Sequence, residues 1–495
     1  MVLKEKMSSQ KSLKLNFIMN AILTMSSFIF PLITFPYVSR ILLPAGVGKV
    51  SFATSVVSYF LMFVQLGIPT YGVRACAKVR DDREELSRTA HELLTINLVM
   101  SLIAYAVFFA ALAFVPRLAQ EKTLFMIVSL TIIFNCIGME WLYKALEQYT
   151  YITVRSISFK LVALIAMFLL IHKESDYVVY GGISILAGAA SNIFNFFHAR
   201  IYISMRPVGH YHFRRHFKPL AVFFAMSCAT TAYTHLNIVM LGFLKTDTDV
   251  GYYHVAVKIK TVLVSIVTSM GMVLLPRASY YVEHGQMEAF RKITKKALNF
   301  VCLAAVPMTL YFILFAKEGI YFLSGTAYTG SITPMRIIMP TLLLIGLTNI
   351  MGIQILVPLG REKTVLHSEI VGAVVALSLN LLLIPKLASS GAAVATLCAE
   401  LAVWLVQFAA LKRDVLPAYK QVRYLPIILG LLLGSAASVC VKLLGLGYFL
   451  TLLVSATMFF GIYALVLLAA KEPLFIEILN QLLEKLRLKT IKTGP

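Results

Sequence analysis

The stretch Val250–Arg291, VGYYHVAVKIKTVLVSIVTSMGMVLLPRASYYVEHGQMEAFR, repeats the layout of Val47–Arg88 at a fixed offset of 203 residues. Each copy is one long apolar run between a Val-Gly pair and an Arg-Ala pair, followed by a charged connection of equal length. Such self-similarity predicts an internally duplicated membrane protein. The matching positions are Val47-Gly48 with Val250-Gly251, Ala53 with Ala256, Arg74-Ala75 with Arg277-Ala278, and Glu85 and Arg88 with Glu288 and Arg291.

The composition of the chain argues against a water-soluble fold. Of its 495 residues, 59% are hydrophobic and only 14% are charged, which is more apolar surface than a soluble core can cover. The formal net charge of +22 would suggest nucleic-acid binding in a soluble protein. The placement of the basic residues therefore decides between that interpretation and membrane topology.

Apolar runs of the roughly 20 residues needed to cross a bilayer predict an all-α polytopic membrane protein with about fourteen transmembrane helices. The fifth run is interrupted by Lys160. The first run is long enough to stay in the membrane, so we expect no cleavable signal. The predicted spans are 16–38, 48–69, 92–115, 123–143, 156–172, 177–198, 219–243, 250–275, 298–322, 337–359, 366–385, 389–411, 424–445 and 448–470.

The basic residues lie mainly on one side of these spans. Of the 45 Lys and Arg residues, 33 fall on the side of the N-terminal tail and ten on the other, while Lys258 and Lys260 lie inside a span. The positive-inside rule then predicts that both termini lie in the cytoplasm. Nucleic acid is not needed to explain the charge and is not expected as a partner.

Six spans separate the two copies, so both copies cross the membrane in the same direction. Such repeats are related by an axis along the membrane normal, with the binding site between them. We predict two pseudo-symmetric six-helix lobes, an additional helix pair and a basic cytoplasmic tail. Their bounds are 1–205, 206–412, 413–470 and 471–495.

The tail 471–495 has apolar residues at helical spacing. This spacing predicts an interfacial helix, and a solvated tail is the alternative. The apolar positions are Ile476, Leu479, Leu482, Leu483 and Leu486.

Four predicted helices, two in each repeat, carry a polar stripe. In the eighth span the polar residues follow each other at three or four positions, which places them on one helical face. The alternative is that small and hydroxylated residues mediate helix packing in lipid. The candidate substrate-binding residues in these stripes are Asn20, Ser51, Ser55, Thr234, Asn237, His254 and Lys258.

Charged residues at membrane depth favour a functional interpretation. A cation near the bilayer centre costs at least ~2.5 kcal/mol on insertion scales and usually faces water or a partner, so we expect Lys258 to line a wet cavity. Lys260 lies about 200° round the helix and meets a neighbouring helix or a lipid headgroup. Three further candidates at span ends either snorkel to the interface or bind an anionic ligand: Arg40, Arg74 and Arg277.

Carboxylates are rarer inside the predicted spans. Glu400, near the middle of the twelfth span, is either a site for H⁺ or Na⁺ coupling or half of a structural ion pair. Glu140, with Lys144 four residues later, is typical of a helix-end charge cluster. No cofactor or metal is expected.

The run Glu140–Tyr149, EWLYKALEQY, with Arg155-Ser156 and Lys160 downstream, resembles a stretch of bacterial polysaccharide-repeat flippases of the Wzx type. Asn237–Gly242, Val250–Ile259 and Leu275–Arg277 are similar to the opening of that family's C-lobe. The likeness covers nearly the whole chain and extends to the superfamily of multidrug, oligosaccharidyl-lipid and polysaccharide exporters. Two positions depart from the pattern: Ala145 stands where Gly is usual, and Asn237, where many members have Asp, offers no carboxylate for coupling.

The resemblance implies two lobes that move a polyprenyl-diphosphate-linked oligosaccharide from the cytoplasmic to the outer leaflet of the bacterial plasma membrane by alternating access. Such a substrate has an anionic diphosphate that cations bind, a glycan that hydroxyls and amides bind, and a tail that stays in lipid. Membrane lipids and other polysaccharide-assembly proteins are further candidate partners.

Signals for catalysis are weak. The six cysteines lack C-x-x-C or disulfide-framework spacing, and the segment 325–331 lacks the lysine of a phosphate loop. The enzyme alternative is a membrane glycan polymerase or ligase, but the longest outside connection, about 317–335, is short for a catalytic pocket. Among transporters the alternatives are a lipid II flippase and a cation-coupled drug exporter, which should have a more acidic cavity.

Overall fold

The computed structural model describes residues 2–420 and 423–485, and within them all regular secondary structure is helical. The chain divides into two compact units, Met1–Gly251 and Tyr252–Pro495. The division falls inside a helix of the second sequence repeat, later than the predicted lobe boundary at 205/206. The four sequence-based domains therefore stay a prediction.

The first unit is built from long helices joined by short turns. Short 3₁₀ segments lie at Glu174–Asp176 and Ala199–Ile201, and a π-helical segment lies at Leu186–Ala190. The α-helices are α1 Val2–Gln65, α2 Ile68–Lys78, α3 Arg83–Phe114, α4 Pro116–Ala119, α5 Lys122–Ile137, α6 Glu140–Ala145, α7 Tyr149–Leu170, α8 Tyr177–Ile185, α9 Asn192–His198 and α10 Arg214–Leu244.

The second unit begins within the next helix. Its 3₁₀ segments are Thr326–Ser331 and Val441–Leu444, and a π-helical segment covers Ile350–Leu356. The α-helices are α11 Asp247–Glu283, α12 Met287–Leu314, α13 Ala316–Ser324, α14 Ile332–Ile338, α15 Thr341–Asn349, α16 Glu362–Lys420, α17 Tyr424–Cys440, α18 Tyr448–Ala469 and α19 Pro473–Lys485.

Every predicted span falls on helical segments, and the polytopic all-α fold is confirmed. In the described part of the chain, ten helices are long and apolar enough to cross a membrane. A pair bent by 45°, Thr326–Ile338 with Thr341–Leu356, brings the number to eleven. Because α1 and α16 each cover two predicted spans, the total of fourteen crossings stays a prediction.

Both of these long helices contain a backbone break, and each break falls in a connection between predicted spans, 39–47 or 386–388. Leu43 in α1 has φ 56° and ψ 176°, and Ala388 in α16 has φ 48° and ψ −125°. Pro44 follows Leu43 and disfavours helical backbone at that residue, while Pro itself fits the first turn of the helix beyond. In the second repeat the residue equivalent to Leu43 is Thr246, which lies in the non-helical link between α10 and α11. The two repeats therefore break at equivalent positions.

Helix α3 shows why these helices suit a bilayer. Its outward side is as apolar as its inward side, with Leu102 74% and Phe114 84% exposed. A helix that is apolar all round is typical of a membrane span. The inward side recurs every three or four residues: Leu86, Ala90, Leu93, Asn97, Ser101, Ala104, Phe108 and Leu112.

The C-terminal helix α19 packs against α18 at its start. Leu474 and Ile476 are buried, and Leu474 lies in an apolar cluster with Tyr463 and Leu467 of α18. Glu472 accepts a hydrogen bond from the backbone N–H of Phe475 at 2.6 Å, which satisfies a free donor of the first turn. The predicted interfacial helix extends to Leu486, which lies outside the described residues.

Candidate functional site

The first half of α1 and helix α7 run side by side in the same direction. The residue numbers rise together along both helices, as expected for the first and fifth of a series of alternating spans. From the start of α7 to its end, the hydrogen-bonded pairs are Asn16–Glu147 at 3.4 Å, Met19–Thr153 at 3.0 Å, Ser26–Lys160 at 2.8 Å and Tyr37–Ile171 at 2.8 Å.

This part of α1 presents the polar stripe predicted from the sequence. Asn20 and Thr24 are exposed, and the hydroxyl of Thr24 donates to the carbonyl of Asn20 at 2.8 Å. Because the hydroxyl proton is used within the helix, the lone pairs of Thr24 face outward. The stripe offers amide and hydroxyl groups to a polar ligand, as proposed for Asn20.

The second half of α1 places its predicted residues differently. Ser51 and Ser55 are buried, and the hydroxyl of Ser55 lies 3.2 Å from Nδ1 of His235 on α10. This contact favours the packing interpretation for Ser55. On α10, Thr234 is exposed whereas Asn237 is buried, and as substrate ligands all four polar residues stay a prediction.

In helix α11 the polar stripe and the buried residues occupy different positions. The buried residues of the helix are apolar, among them Val255, Ala256 and Val267, whereas His254 and Lys258 are half-buried and Thr261 is exposed. Lys258 lies one turn beyond His254 and acts on it electrostatically. The stripe carries one lysine and several hydroxyl groups, and its role as a substrate surface stays a prediction.

Glu400, the coupling candidate, has a cationic neighbour that the sequence did not assign. Its side chain is 5% exposed in α16, and its charge acts on Lys260. Lys260 projects from the side of α11 away from Lys258. Of the two alternatives given for Lys260, a neighbouring helix or a lipid headgroup, its interaction with Glu400 of α16 favours the helix. The coupling role of Glu400 stays a prediction.

The three candidate arginines are placed as their positions at span ends predict. Arg40, Arg74 and Arg277 are all exposed. Arg74 lies near the end of α2, whereas Arg40 and Arg277 lie within α1 and α11. Their exposure is consistent with snorkelling to the interface and equally with a ligand role. Their assignment as residues that bind an anionic ligand stays a prediction.

A buried ion-pair cluster joins α3 to the start of α10 and was not predicted. Glu92 is fully buried and accepts hydrogen bonds from Nη2 of Arg215 at 2.7 Å and from Nε2 of His216 at 2.6 Å. The hydroxyl of Tyr71 on α2 lies 2.8 Å from Nδ1 of the same histidine. Glu92 at the start of an apolar span and the His-rich connection 210–216 were the available signals.

Burial lowers the pKa of His216 below its ordinary value, although the Glu92 carboxylate opposes this shift. The neutral imidazole then donates through Nε2 to Glu92 and accepts from Tyr71 at Nδ1. The buried carboxylate of Glu92 is therefore balanced by the guanidinium of Arg215, whose side chain is 39% exposed. In the described part of the chain, no group of three or more His, Cys, Asp or Glu is placed to hold a metal ion.

Comparison with known sequences identifies the family. A family model described as "Polysaccharide biosynthesis protein" matches residues 13–282, which is more than half of the chain. The chain belongs to this family. The match confirms the resemblance to polysaccharide-repeat flippases drawn from the Trp141 and Val250 regions.

Two relatives are similar to this chain over most of their length. It is 24% identical over 400 residues to the putative O-antigen transporter of Escherichia coli (strain K12), covering 79% of this chain and 95% of the relative. It is 23% identical over 403 residues to the putative O-antigen transporter of Shigella dysenteriae, covering 78% and 97%. Both relatives are named as transporters and not as enzymes.

Solved structures confirm the fold. The lipid II flippase MurJ in an inward closed conformation superposes with a TM-score of 0.69 and 15% identity, covering 92% of this chain and 99% of that one. An inward-facing multidrug resistance MATE family transporter superposes with a TM-score of 0.62 and 12% identity, covering 82% and 99%. At these identities the likeness concerns the fold alone.

Proposed function

We propose that this protein is a flippase that moves polyprenyl-diphosphate-linked oligosaccharide repeat units from the cytoplasmic to the outer leaflet by alternating access. Its similarity to O-antigen transporters over nearly their full length supports a role in cell-surface polysaccharide assembly. The proposed carrier has an anionic headgroup, a polar glycan and an apolar tail, and each needs a different surface.

The observation that carries the proposal is the position of Lys258 on the polar stripe of α11. A lysine at membrane depth is costly unless it meets water or an anion, and this one is half-buried among hydroxyl-bearing positions while the core-facing residues are apolar. A diphosphate is a strong partner for an ammonium group. The exposed amide and hydroxyl groups of Asn20 and Thr24 suit a glycan.

Two other transported substrates are the alternatives. The first is lipid II, which shares the polyprenyl diphosphate but has a different glycan, and MurJ, a lipid II flippase, has the same fold. The second is a drug, since a MATE family transporter also has this fold, so the fold does not separate the two alternatives. A glycan polymerase or ligase has less support, because the relatives are named as transporters.

We further propose that the protein lies in the bacterial plasma membrane with both termini in the cytoplasm. The excess of 33 to 10 basic residues on alternate sides supports this orientation. Reporter fusions at residues 208 and 445 test it, since the first should report the cytoplasm and the second the outside. The reverse result would contradict the orientation.

The transport activity is tested with purified protein in liposomes. Fluorescent polyprenyl-diphosphate-linked repeat units should become accessible to a membrane-impermeant quencher from both leaflets, whereas labelled lipid II and ordinary phospholipid should not. Preferential movement of lipid II would establish the first alternative. In cells, deletion of the gene should cause lipid-linked repeat units to accumulate on the inner leaflet.

Lys258 is tested in the same assay. Lys258→Gln should slow flipping at least tenfold, because a charge-assisted hydrogen bond is worth about 1.5–3 kcal/mol and 1.4 kcal/mol is a factor of ten. Lys258→Arg should retain most of the rate. Lys292→Gln, which removes an exposed charge, is the matched control, and equal rates in both Gln variants would remove Lys258 from the site.

A further inference from the structure

Lys160, which interrupts the fifth apolar run and was counted among the 33 basic residues on the side of the N-terminal tail, lies near the middle of α7 in the first unit. The parallel contact between α1 and α7 runs from Asn16 to Tyr37, 21 residues along α1, or about 30 Å at ~1.5 Å per residue. The contact of Lys160 falls at Ser26 and Ser27, close to the middle of that distance. The ammonium group is therefore about as far from either surface as the span allows.

Two serine hydroxyls hold this ammonium group. Nζ of Lys160 donates to Oγ of Ser26 at 2.8 Å and to Oγ of Ser27 at 3.0 Å. Both hydroxyls donate their own protons to the carbonyl of Leu23, at 2.7 and 3.2 Å. Because the hydroxyl protons are used there, the oxygen lone pairs are directed at Lys160 and fix its position.

The positive charge of Lys160 is not balanced by a carboxylate within the described residues. The carboxylate that acts on it electrostatically is Glu140, but Glu140 pairs with Lys144 at 2.8 Å and approaches Nη2 of Arg155 at 3.6 Å. Arg155 is only 8% exposed, and its Nε and Nη1 atoms are buried without a hydrogen-bond partner. Two other cations, Lys144 and Arg155, thus contact the carboxylate that acts on Lys160.

A lysine at membrane depth is costly unless it meets water or a partner. Here it is oriented by neutral hydroxyls, retains a third N–H donor, and lies beside a cluster with excess positive charge. Ser27 is exposed and Lys160 is half-buried, so an anion reaches the ammonium group without displacing core residues. Phosphate oxygens are the strong acceptors that suit such a donor.

We propose that Lys160, positioned by Ser26 and Ser27, binds phosphate in the first unit, separately from Lys258 in the second. The ligand class is a lipid-linked phosphate or diphosphate, and the inference that this group belongs to the transported substrate rests on the proposed function. The phosphodiester of an ordinary phospholipid has the same chemistry, so the test must separate the two sources.

Binding is measured on the full-length protein in zwitterionic nanodiscs. Polyprenyl diphosphate without a glycan is the first probe, and phosphatidylglycerol is the second. Lys160→Gln should weaken binding of polyprenyl diphosphate at least tenfold, Lys160→Arg should retain it within about threefold, and the exposed-charge control Lys173→Gln should leave it unchanged. Equal affinity of wild type and Lys160→Gln for this probe would overturn the proposal.

The second probe decides the source of the phosphate. A tenfold loss for polyprenyl diphosphate with no change for phosphatidylglycerol supports a substrate site. An equal loss for both lipids would overturn the substrate assignment in favour of a general headgroup site. If Lys160→Gln does not fold, the Ser26→Ala/Ser27→Ala variant, which keeps the cation but releases it, should still weaken binding of polyprenyl diphosphate severalfold, and unchanged binding would overturn the proposal.

Failure of the proposed function gives a different result. Wild-type protein that binds polyprenyl diphosphate through Lys160 but moves no lipid-linked glycan in liposomes would contradict the transport activity and leave the phosphate site standing. If the wild type transports, and the Lys160→Gln variant also binds and transports normally, the phosphate site is contradicted and the transport activity stands.

Discussion

Gly48 and Gly251 hold equivalent positions in the two sequence repeats, and each lies against the backbone of the other repeat. A Cβ atom on Gly48 would overlap the carbonyl oxygen of Asp247, and one on Gly251 would overlap the carbonyl oxygen of Pro44. Pro44 and Asp247 are themselves equivalent at the offset of 203 residues. The contact is reciprocal, so the recurring Val-Gly pair marks a close backbone crossing.

This crossing predicts that neither glycine tolerates a side chain. Gly48→Ala and Gly251→Ala should each lower the melting temperature of the detergent-solubilised protein, because the overlapping atom is backbone and overpacking costs about 1–3 kcal/mol. Gly461→Ala in α18, where a Cβ meets nothing within 4 Å, is the control. A Gly48→Ala protein that melts with the wild type would contradict the close approach.

The buried His216 predicts that stability falls as the pH drops below about 6.5. Burial lowers the pKa of His216 in the folded protein, whereas in the unfolded chain the ordinary value is about 6.5. Between these two values the unfolded chain binds more protons, so stability rises with pH. The melting temperature should therefore decrease from pH 8 towards pH 5.5.

The contribution of His216 is isolated by substitution. His216→Gln keeps a donor for Glu92 but cannot titrate, so its melting temperature should depend less on pH than that of the wild type. The same substitution at exposed His284 should leave the wild-type pH dependence intact. Parallel pH profiles for wild type and His216→Gln would assign the effect to other groups.

We predict a strong coupling between Arg117 and Asp247, at the C-terminal end of α10. Its Nε donates to the carbonyl of Gly242 at 2.7 Å, its guanidinium pairs with Asp247, and the ring of Phe52 lies 4.9 Å away. Arg117→Gln and Asp247→Asn should each destabilise the protein, and the double variant should be little worse than the more damaging single one. Groups in contact usually couple by about 0.5–3 kcal/mol.

The control for this cycle is an exposed pair. Arg80 and Asp81 approach to 4.0 Å with side chains 47% and 99% exposed, and such pairs contribute about 0–1 kcal/mol. Their cycle should give a coupling near zero. A similar coupling in both cycles would mean that Arg117 acts only through general charge.

The sequence predicted the helices because apolar length is a local property. Spans of about 20 apolar residues fell on helices throughout. The connections predicted between spans, 39–47 and 244–249, contain the breaks at Leu43 and Thr246, which are 203 residues apart. The sharp backbone turn at Leu43 was not predicted, since a non-glycine residue with positive φ has no compositional signal.

The candidate site was less accessible from the sequence, because a polar residue's partner depends on packing. Helical spacing placed His254 and Lys258 on one face of α11, where both are half-buried. The same pattern did not show that Ser55 would pack against His235. Nor did it show that Lys160 would be held by two serines, because its partners lie more than 130 residues away.

The Lys260–Glu400 interaction predicts two separable effects. Because Glu400 is buried and acts electrostatically on Lys260, each single neutralisation should be destabilising, whereas the double variant Lys260→Met/Glu400→Leu should recover much of the stability. As a coupling carboxylate, Glu400 should also be required for a response to an H⁺ or Na⁺ gradient. We therefore expect the double variant to flip substrate in liposomes at a rate that no longer depends on either gradient. If the double variant keeps the gradient dependence of the wild type, the ion is coupled elsewhere and Glu400 serves only to compensate Lys260.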